Sequence, residues 1–357
     1  MSRKKVAPVD VIIACHNPRR PLGRAVASVL DGSGDLASVT VVAHNLPANE
    51  LKAVVDPRHR SRVRWRELHD GLSSPTGPFT YGIRHSPSPW VSIMGSDDTL
   101  QPGAVRAWLG LARGTDAVIT RLIHASGTPV HTPPVRPFPH RLRSAVRDRL
   151  YYRSAPLGLM RRQFLVDYDL SLRSGLHNGG DLALSAGLWT RGRVSVQTRG
   201  PAYVIGADAT DRVTMTLAPL SQELAHISGV WNPDFLSAFT PAEVTALATK
   251  YLRIHFFGVA YYRATAGQWL PGDRDLLADQ IALVLGYAPR SPLPLSRADR
   301  DLLDALQDLS VPDATVNRLA LARRKFGTPA TLVPRDLAYL FNREAPPRFM
   351  AASALVR

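Results

Sequence analysis

Cysteine is nearly absent from the chain: Cys15 is the single one in 357 residues. That excludes an internal disulfide framework and any zinc site built on several thiolates. Long apolar runs are missing too, and none approaches the ~20 residues a membrane-spanning helix needs. The basic start, Met1 to Lys5, is followed by an apolar stretch broken at Pro8 and Asp10, unlike the longer apolar region of a secretory signal. The expected location is therefore the cytoplasm. Lysine is scarce, with only Lys4, Lys5, Lys52, Lys250 and Lys325, so nearly all positive charge is arginine. Acidic residues are outnumbered, 29 Asp+Glu against 44 Lys+Arg, for a net charge of +15. Arginine grips phosphate bidentately, and such a surplus favours anionic partners: a nucleotide, a phosphate-bearing polymer, nucleic acid or a membrane face. Aromatic residues make up only 7% of the chain, and no nucleic-acid-binding motif is visible.

What is present reads as an ordinary globular chain, 45% hydrophobic and 20% charged. Val9 to Ala14 forms a buried-strand pattern that stops at Cys15-His16-Asn17-Pro18. Leu22, Val26, Val29 and Leu30 keep helical spacing up to Asp31-Gly32-Ser33-Gly34. Strand patterns return at Val39 to Ala43, Val63 to Trp65 and Trp90 to Met94, and Tyr81 to His85 reads as a helix end. This alternation predicts a mostly parallel α/β sheet with right-handed crossovers. Ala125 to Arg149 is rich in Pro, His and Arg, which predicts no regular structure until about Arg141 and a mobile or acceptor-facing loop. After about residue 220 strand patterns vanish. Helical spacing takes over at Val244 to Tyr262, Leu276 to Leu285 and Leu302 to Leu309, with helix starts at Thr240 to Glu243 and Ser296 to Asp299. The expected division is therefore 1–220 and a helical 221–357.

Two carboxylate positions carry the chemistry. Asp97-Asp98 directly follows an apolar strand, where open α/β sheets bind ligands. Adjacent like charges repel unless a cation joins them, so the pair invites Mg²⁺ or Mn²⁺ with nucleotide phosphates; a solvated turn that caps the next helix is the other reading. Asp181 follows Gly179-Gly180 and precedes a helical run. It reads as a simple helix cap or as a general base toward a hydroxyl. The histidines His85, His124, His131 and His140 lack ligand spacing, and His255 lies on an apolar helix, so no zinc site is expected.

Together these segments resemble something specific. "VDVIIACHN" (Val9 to Asn17), "GPFTYGI" (Gly77 to Ile83) and "WVSIMGSDDTLQPGAV" (Trp90 to Val105) are similar to the donor half of a family 2 glycosyltransferase. Ala155 to Gly192 is similar to the acceptor half, and the likeness runs from about residue 6 to 215. The resemblance implies a GT-A fold, Rossmann-like, with a mostly parallel sheet flanked by helices and here an added C-terminal α-helical domain. It implies inverting sugar transfer from a nucleotide-diphosphate sugar, with a UDP-sugar first choice. Ala14, His16 and Asn17 would lie near the base, Asp97 at the ribose and the metal, and Asp98 on the Mn²⁺ or Mg²⁺. Asp181 would be the catalytic base. His177 belongs to the loop expected at the acceptor, and Trp189 reads as core or as a sugar platform.

The chain also departs from the family pattern. Where an Asp commonly reads the base, the sequence gives Ala43-His44-Asn45-Leu46, leaving Asn45 to bond a pyrimidine edge. The common Asp-x-Asp-Asp becomes Gly95-Ser96-Asp97-Asp98, and Gly180 replaces the acid usually preceding the base. Arg199 and Arg212 are candidates for the diphosphate by position. The charge points to an anionic cell-wall glycopolymer or lipid-linked precursor as acceptor, with peripheral contact at the inner membrane face. A modified base of nucleic acid is an alternative acceptor, and a non-catalytic nucleotide-sugar or polymer-binding protein is the alternative role.

Overall fold

A computed structural model describes residues 6–138, 140–208 and 218–356. Their strands, in chain order, are β1 (Val9–Cys15), β2 (Ala37–His44), β3 (Val63–Leu68), β4 (Trp90–Gly95), β5 (Thr99–Leu100), β6 (Ala117–Ile119), β7 (Leu122–His124), β8 (Gly158–Arg161), β9 (Val194–Val196) and β10 (Tyr203–Ile205). The main sheet runs β3-β2-β1-β4-β8-β6-β9, and a small one runs β5-β10-β7. In the main sheet β8 is antiparallel to both neighbours while the other pairings are parallel. The expected mostly parallel α/β sheet is thus present.

β1 reads as an unbroken apolar run because both of its faces are covered. Asp10, within it, is fully buried; its carboxylate accepts from Thr40 Oγ1 at 2.9 Å and pairs with Arg64 Nη2 at 2.7 Å. Helix Leu22–Ser33 lays Leu22, Ala25, Val26, Val29 and Leu30 on one face of the sheet, beside helix Ala104–Ala112. The other face carries helices Thr76–Arg84 and Leu182–Arg191. On that face one hydrophobic cluster continues from Ile12 and Val42 through Leu182 to Leu247, Leu302 and Ala320. The helices after residue 220 therefore share a core with the sheet.

Their local signals are realised. Thr240 and Glu243 form a reciprocal capping box ahead of helix Pro241–Lys250, and Ser296 accepts from the Asp299 N–H at the start of helix Arg297–Gln307. The run expected from Val244 to Tyr262 is continuous but not uniform. A π turn, Tyr251–Phe256, joins helix Pro241–Lys250 to helix Phe257–Ala266.

The segment between β7 and Leu150 differs from expectation. Its described residues form no helix or strand even after Arg141, and they are packed down by charge. Asp148, 0% exposed, accepts from Ser144 N at 2.8 Å, from Arg136 N and the Arg136 guanidinium, and from Arg143 Nη1 at 3.2 Å. Val135 and Ala145 are buried beside it, and the Arg143 N–H bonds to Val194 O at the sheet edge. Side-chain ion pairs here replace the backbone ladder that a composition-based reading looks for. Replacing Asp148 by Ala leaves the buried Arg143 uncompensated, an expected loss of ~3–5 kcal/mol. The check is a lower urea midpoint at unchanged slope.

Candidate active site

The carboxyl ends of β1, β2 and β4 open onto a cleft of about 700 Å³. Its lining includes Ala14 and His16 after β1, Asn45 after β2, Asp98 after β4, and His177 and Asp181 from the loop before helix Leu182–Arg191. Residues spread over more than half the chain thus face one space, at the edge where parallel sheets bind ligands.

Asp98 is held from two sides. Its Oδ2 accepts from the Tyr203 hydroxyl at 2.5 Å and its Oδ1 from the Gly206 N–H at 2.8 Å. The same hydroxyl accepts from Gly95 N at 3.1 Å, so Tyr203 clamps the acidic turn to the end of β4. Burial, then the Asp98 charge, hold the Tyr203 phenol well above its ordinary pKa, which keeps it a donor. Asp97 is 7% exposed and is not among the cleft-lining residues; its Oδ1 lies 3.3 Å from Arg20 Nη1 and its carbonyl accepts from Arg24 Nη2. Arg24 also grips Asp208 through both carboxylate oxygens.

Both glycines that depart from the family pattern are explained by space. A Cβ on Gly95 would stand 2.5 Å from Asp98 Oδ2, and one on Gly180 would stand 2.6 Å from the Arg173 carbonyl and 2.7 Å from Thr76 Cγ2. Gly95 lets the Asp98 carboxylate fold back over the strand end. Gly180 lets the Asp181 loop press onto the Thr76 helix.

Asp181 sits at the N-cap of its helix, yet its side chain makes no capping hydrogen bond. The capping reading therefore does not hold, and the carboxylate is left to the cleft. Burial pushes its carboxyl above the usual carboxylate range, while its own backbone N–H and then Lys250 pull the other way.

Other expected residues have different roles. Asn45 adopts a left-handed backbone, φ 60°, a conformation Asn tolerates better than most residues. Its Oδ1 accepts from the Asp70 and Gly71 N–H groups and its Nδ2 donates to Leu72 O. Its amide thus shapes the 70–72 loop instead of presenting an open edge to a base. Asn17 Oδ1 accepts from Arg19 N, closing the turn after β1, and Asn17 is not among the cleft-lining residues. Trp189 is 2% exposed and donates to Arg153 O at 2.9 Å; it is core, with no face for a sugar. Arg199 is exposed between β9 and β10, away from the lining. Arg212 lies outside the described residues. Arg20, which the sequence reading passed over, is the one Arg or Lys among the described lining residues. Its signal was proximity to the β1 turn, and Tyr203 had none, being joined to Asp98 across 105 residues.

The donor set suits a hard divalent cation. Mg²⁺ or Mn²⁺ takes oxygen ligands and commonly uses one or two carboxylates together with substrate phosphates. Asp98 can supply such an oxygen with its orientation already set by Tyr203 and Gly206. Among the described residues no group of three or more His, Cys, Asp or Glu forms a metal cage, so the phosphates would complete the shell.

The sheet order and the cleft at its strand ends are those of a GT-A fold, and comparison with known proteins agrees. The family model "Glycosyl transferase family 2" matches residues 10–168. The crystal structure of S. aureus TarS 1-349 in complex with UDP-GlcNAc superposes with a TM-score of 0.72 at 14% identity, covering 89% of this chain and 91% of that one. The UDP complex of the same protein gives 0.68 at 15% identity, again over 89% and 91%. At such identities the likeness establishes the fold. The succinoglycan biosynthesis protein ExoO of Rhizobium meliloti (strain 1021) is 30% identical over 115 residues, 32% of this chain and 32% of that protein. The match thus spans less than a third of the curated relative's length. Residues 10–168 are thus similar to glycosyl transferase family 2, and the chain has the GT-A fold.

The Gly95 contact yields a sharp expectation. Gly95→Ala should push the Asp98 carboxylate aside and abolish any Mn²⁺-dependent rise in melting temperature with UDP, while far-ultraviolet circular dichroism stays native. An unchanged UDP–Mn²⁺ shift would show that Asp98 does not need that space.

Proposed function

We propose that the chain is a metal-dependent, inverting glycosyltransferase that moves a sugar from a nucleotide-diphosphate sugar, first choice a UDP-sugar, to an acceptor hydroxyl. The observation that carries this reading is the position of Asp181: its carboxylate shares a cleft with Asp98 and is not tied up by helix capping. The raised proton affinity of that carboxyl, caused by burial, suits a general base.

In this reading His16 and Ala14 border the nucleotide, and Arg20 stands by the diphosphate, where Arg199 was expected. A divalent cation at Asp98, with Asp97 beside it, would supply charge neutralisation for the departing nucleotide diphosphate. Asp181 accepts the proton of the acceptor hydroxyl as its oxygen bonds to the anomeric carbon. The bond from that carbon to the diphosphate oxygen breaks with its electron pair leaving on the diphosphate. One displacement inverts the centre. Ser73 and Asn178 give the lining a hydroxyl and an amide of the kind that hydrogen-bond sugars.

The UDP-sugar choice is supported by the UDP-GlcNAc and UDP bound to TarS, and a glycan acceptor by the succinoglycan role in ExoO's name. The net charge of +15 favours an anionic glycopolymer or lipid-linked precursor. No helix among the described residues is long and apolar enough to cross a membrane, so a lipid-linked acceptor would be met by peripheral contact.

Thermal melting against a panel of nucleotide sugars, with and without Mn²⁺, should single out one donor. With that donor, Asp181→Asn should lower transfer by ~10²–10⁴-fold while the donor-induced shift persists. Asp98→Ala should remove the Mn²⁺-dependent part of the shift. No response to any donor, or full transfer by Asp181→Asn, would overturn the reading.

A further inference from the structure

Lys250 is 1% exposed, and among the described residues no carboxylate lies within ion-pair distance of it. Lysine is almost never fully buried without a partner. Lys250 ends helix Pro241–Lys250, and the π turn that follows has a specific result. Residues five apart do not face each other on an α-helix, yet Lys250 Nζ lies 2.6 Å from His255 Nε2. The His255 ring is 4.9 Å from the His226 ring. His226 in turn lies flat against the base loop: a Cβ on Gly179 would stand 2.7 Å from its Cδ2. Lys250 also lines a small cavity with Leu182 and Ser185, the first turn of the helix that Asp181 opens. The cluster from the C-terminal helices is therefore built against both sides of Asp181 in the chain.

We infer that Lys250 is a positioning residue for the proposed base, its ammonium being the counter-charge that holds the Asp181 carboxylate ionised and ready to accept a proton. This rests on the base role argued above. The groups that share Asp181's surroundings are His177 on its own loop, His16, Arg20, Asp98 and Tyr203 from the cleft, Tyr151 beside the small cavity, and His226, Lys250, Tyr251 and His255 from the C-terminal helices. Burial and the Lys250 charge push His226 down to about 3 and His255 well below its ordinary value, so both rings stay neutral. Neutral His255 Nε2 then accepts the bond from the Lys250 ammonium and fixes where the charge sits. Burial lowers the Lys250 ammonium to about 7 and Asp181 draws it back up, the reciprocal of its effect on Asp181. Of the cations around Asp181, Lys250 is the one whose charge holds its carboxyl down, while Arg20 lies by Asp97.

The sign follows directly. Removing a positive charge raises the Asp181 pKa, so the base form is lost at higher pH and the acid limb of the rate profile moves upward. Lys250→Met, in the full chain with the donor found by melting, should shift the acid limb of kcat/KM by about one unit. One unit below the wild-type plateau the rate should fall about tenfold, approaching wild type at higher pH, with an unchanged donor-induced melting shift. Lys250→Gln, which keeps the bond to His255 without the charge, should behave alike and serves if Lys250→Met fails to fold. In an Asp181→Asn background neither change should lower the residual rate further. A uniform drop at every pH, with the limb unmoved, would overturn the inference. Should the wild type transfer no sugar, isotope-edited infrared titration of the Asp181 carboxyl still decides: an upward shift in Lys250→Gln supports the coupling, and an unmoved one overturns it.

Discussion

The site depends on a constraint of strand direction. β3, β2, β1 and β4 run parallel, so their carboxyl ends lie along one edge, and every turn there is free to carry chemistry instead of a hairpin. That edge leaves a carboxylate without its own strand partners, and Tyr203 supplies them. By bonding both Gly95 and Asp98, a residue of the second, smaller sheet fastens the acidic turn to the first. Arg24 adds a parallel tie from the opposite side, reaching the Asp97 carbonyl and Asp208.

Seen this way, the absent acids at 95 and 180 are consequences of packing. A side chain at either position would need its neighbours to move. At Gly180 the Arg173 carbonyl comes close, and at Gly95 it is the Asp98 carboxylate itself that fills the space a side chain would need. The economy of acids fits a site in which substrate phosphates complete the cation's coordination.

Much of the fold was legible because it is written locally. The apolar run of β1, the helical spacing of Leu22 to Leu30 and the capping box at Thr240 each need only a handful of neighbouring residues. Asp98 and Asp181 were legible through their strand-end and glycine contexts. What escaped was long-range or conformational. Tyr203 and Arg20 join the acidic turn across 105 and 77 residues, and no short window contains both partners. Asn45 invited a base-reading role by chemistry alone, but its positive φ turns the amide into the loop after β3. The Pro-, His- and Arg-rich stretch looked loose because its order comes from Asp148 gathering two guanidiniums, a pairing that composition does not reveal.

One further tie joins distant parts of the chain. Glu344 receives the Tyr152 hydroxyl at 2.9 Å and pairs with Arg149 and Arg253, all largely buried. During synthesis, Tyr152 and Arg149 leave the ribosome 192 or more residues before their carboxylate does. Until then two guanidiniums lack their anion, and the nascent sheet half stays only partly stabilised. Removing the segment around Glu344 would strand both buried guanidiniums without their anion, so the two ends of this tie stand or fall together.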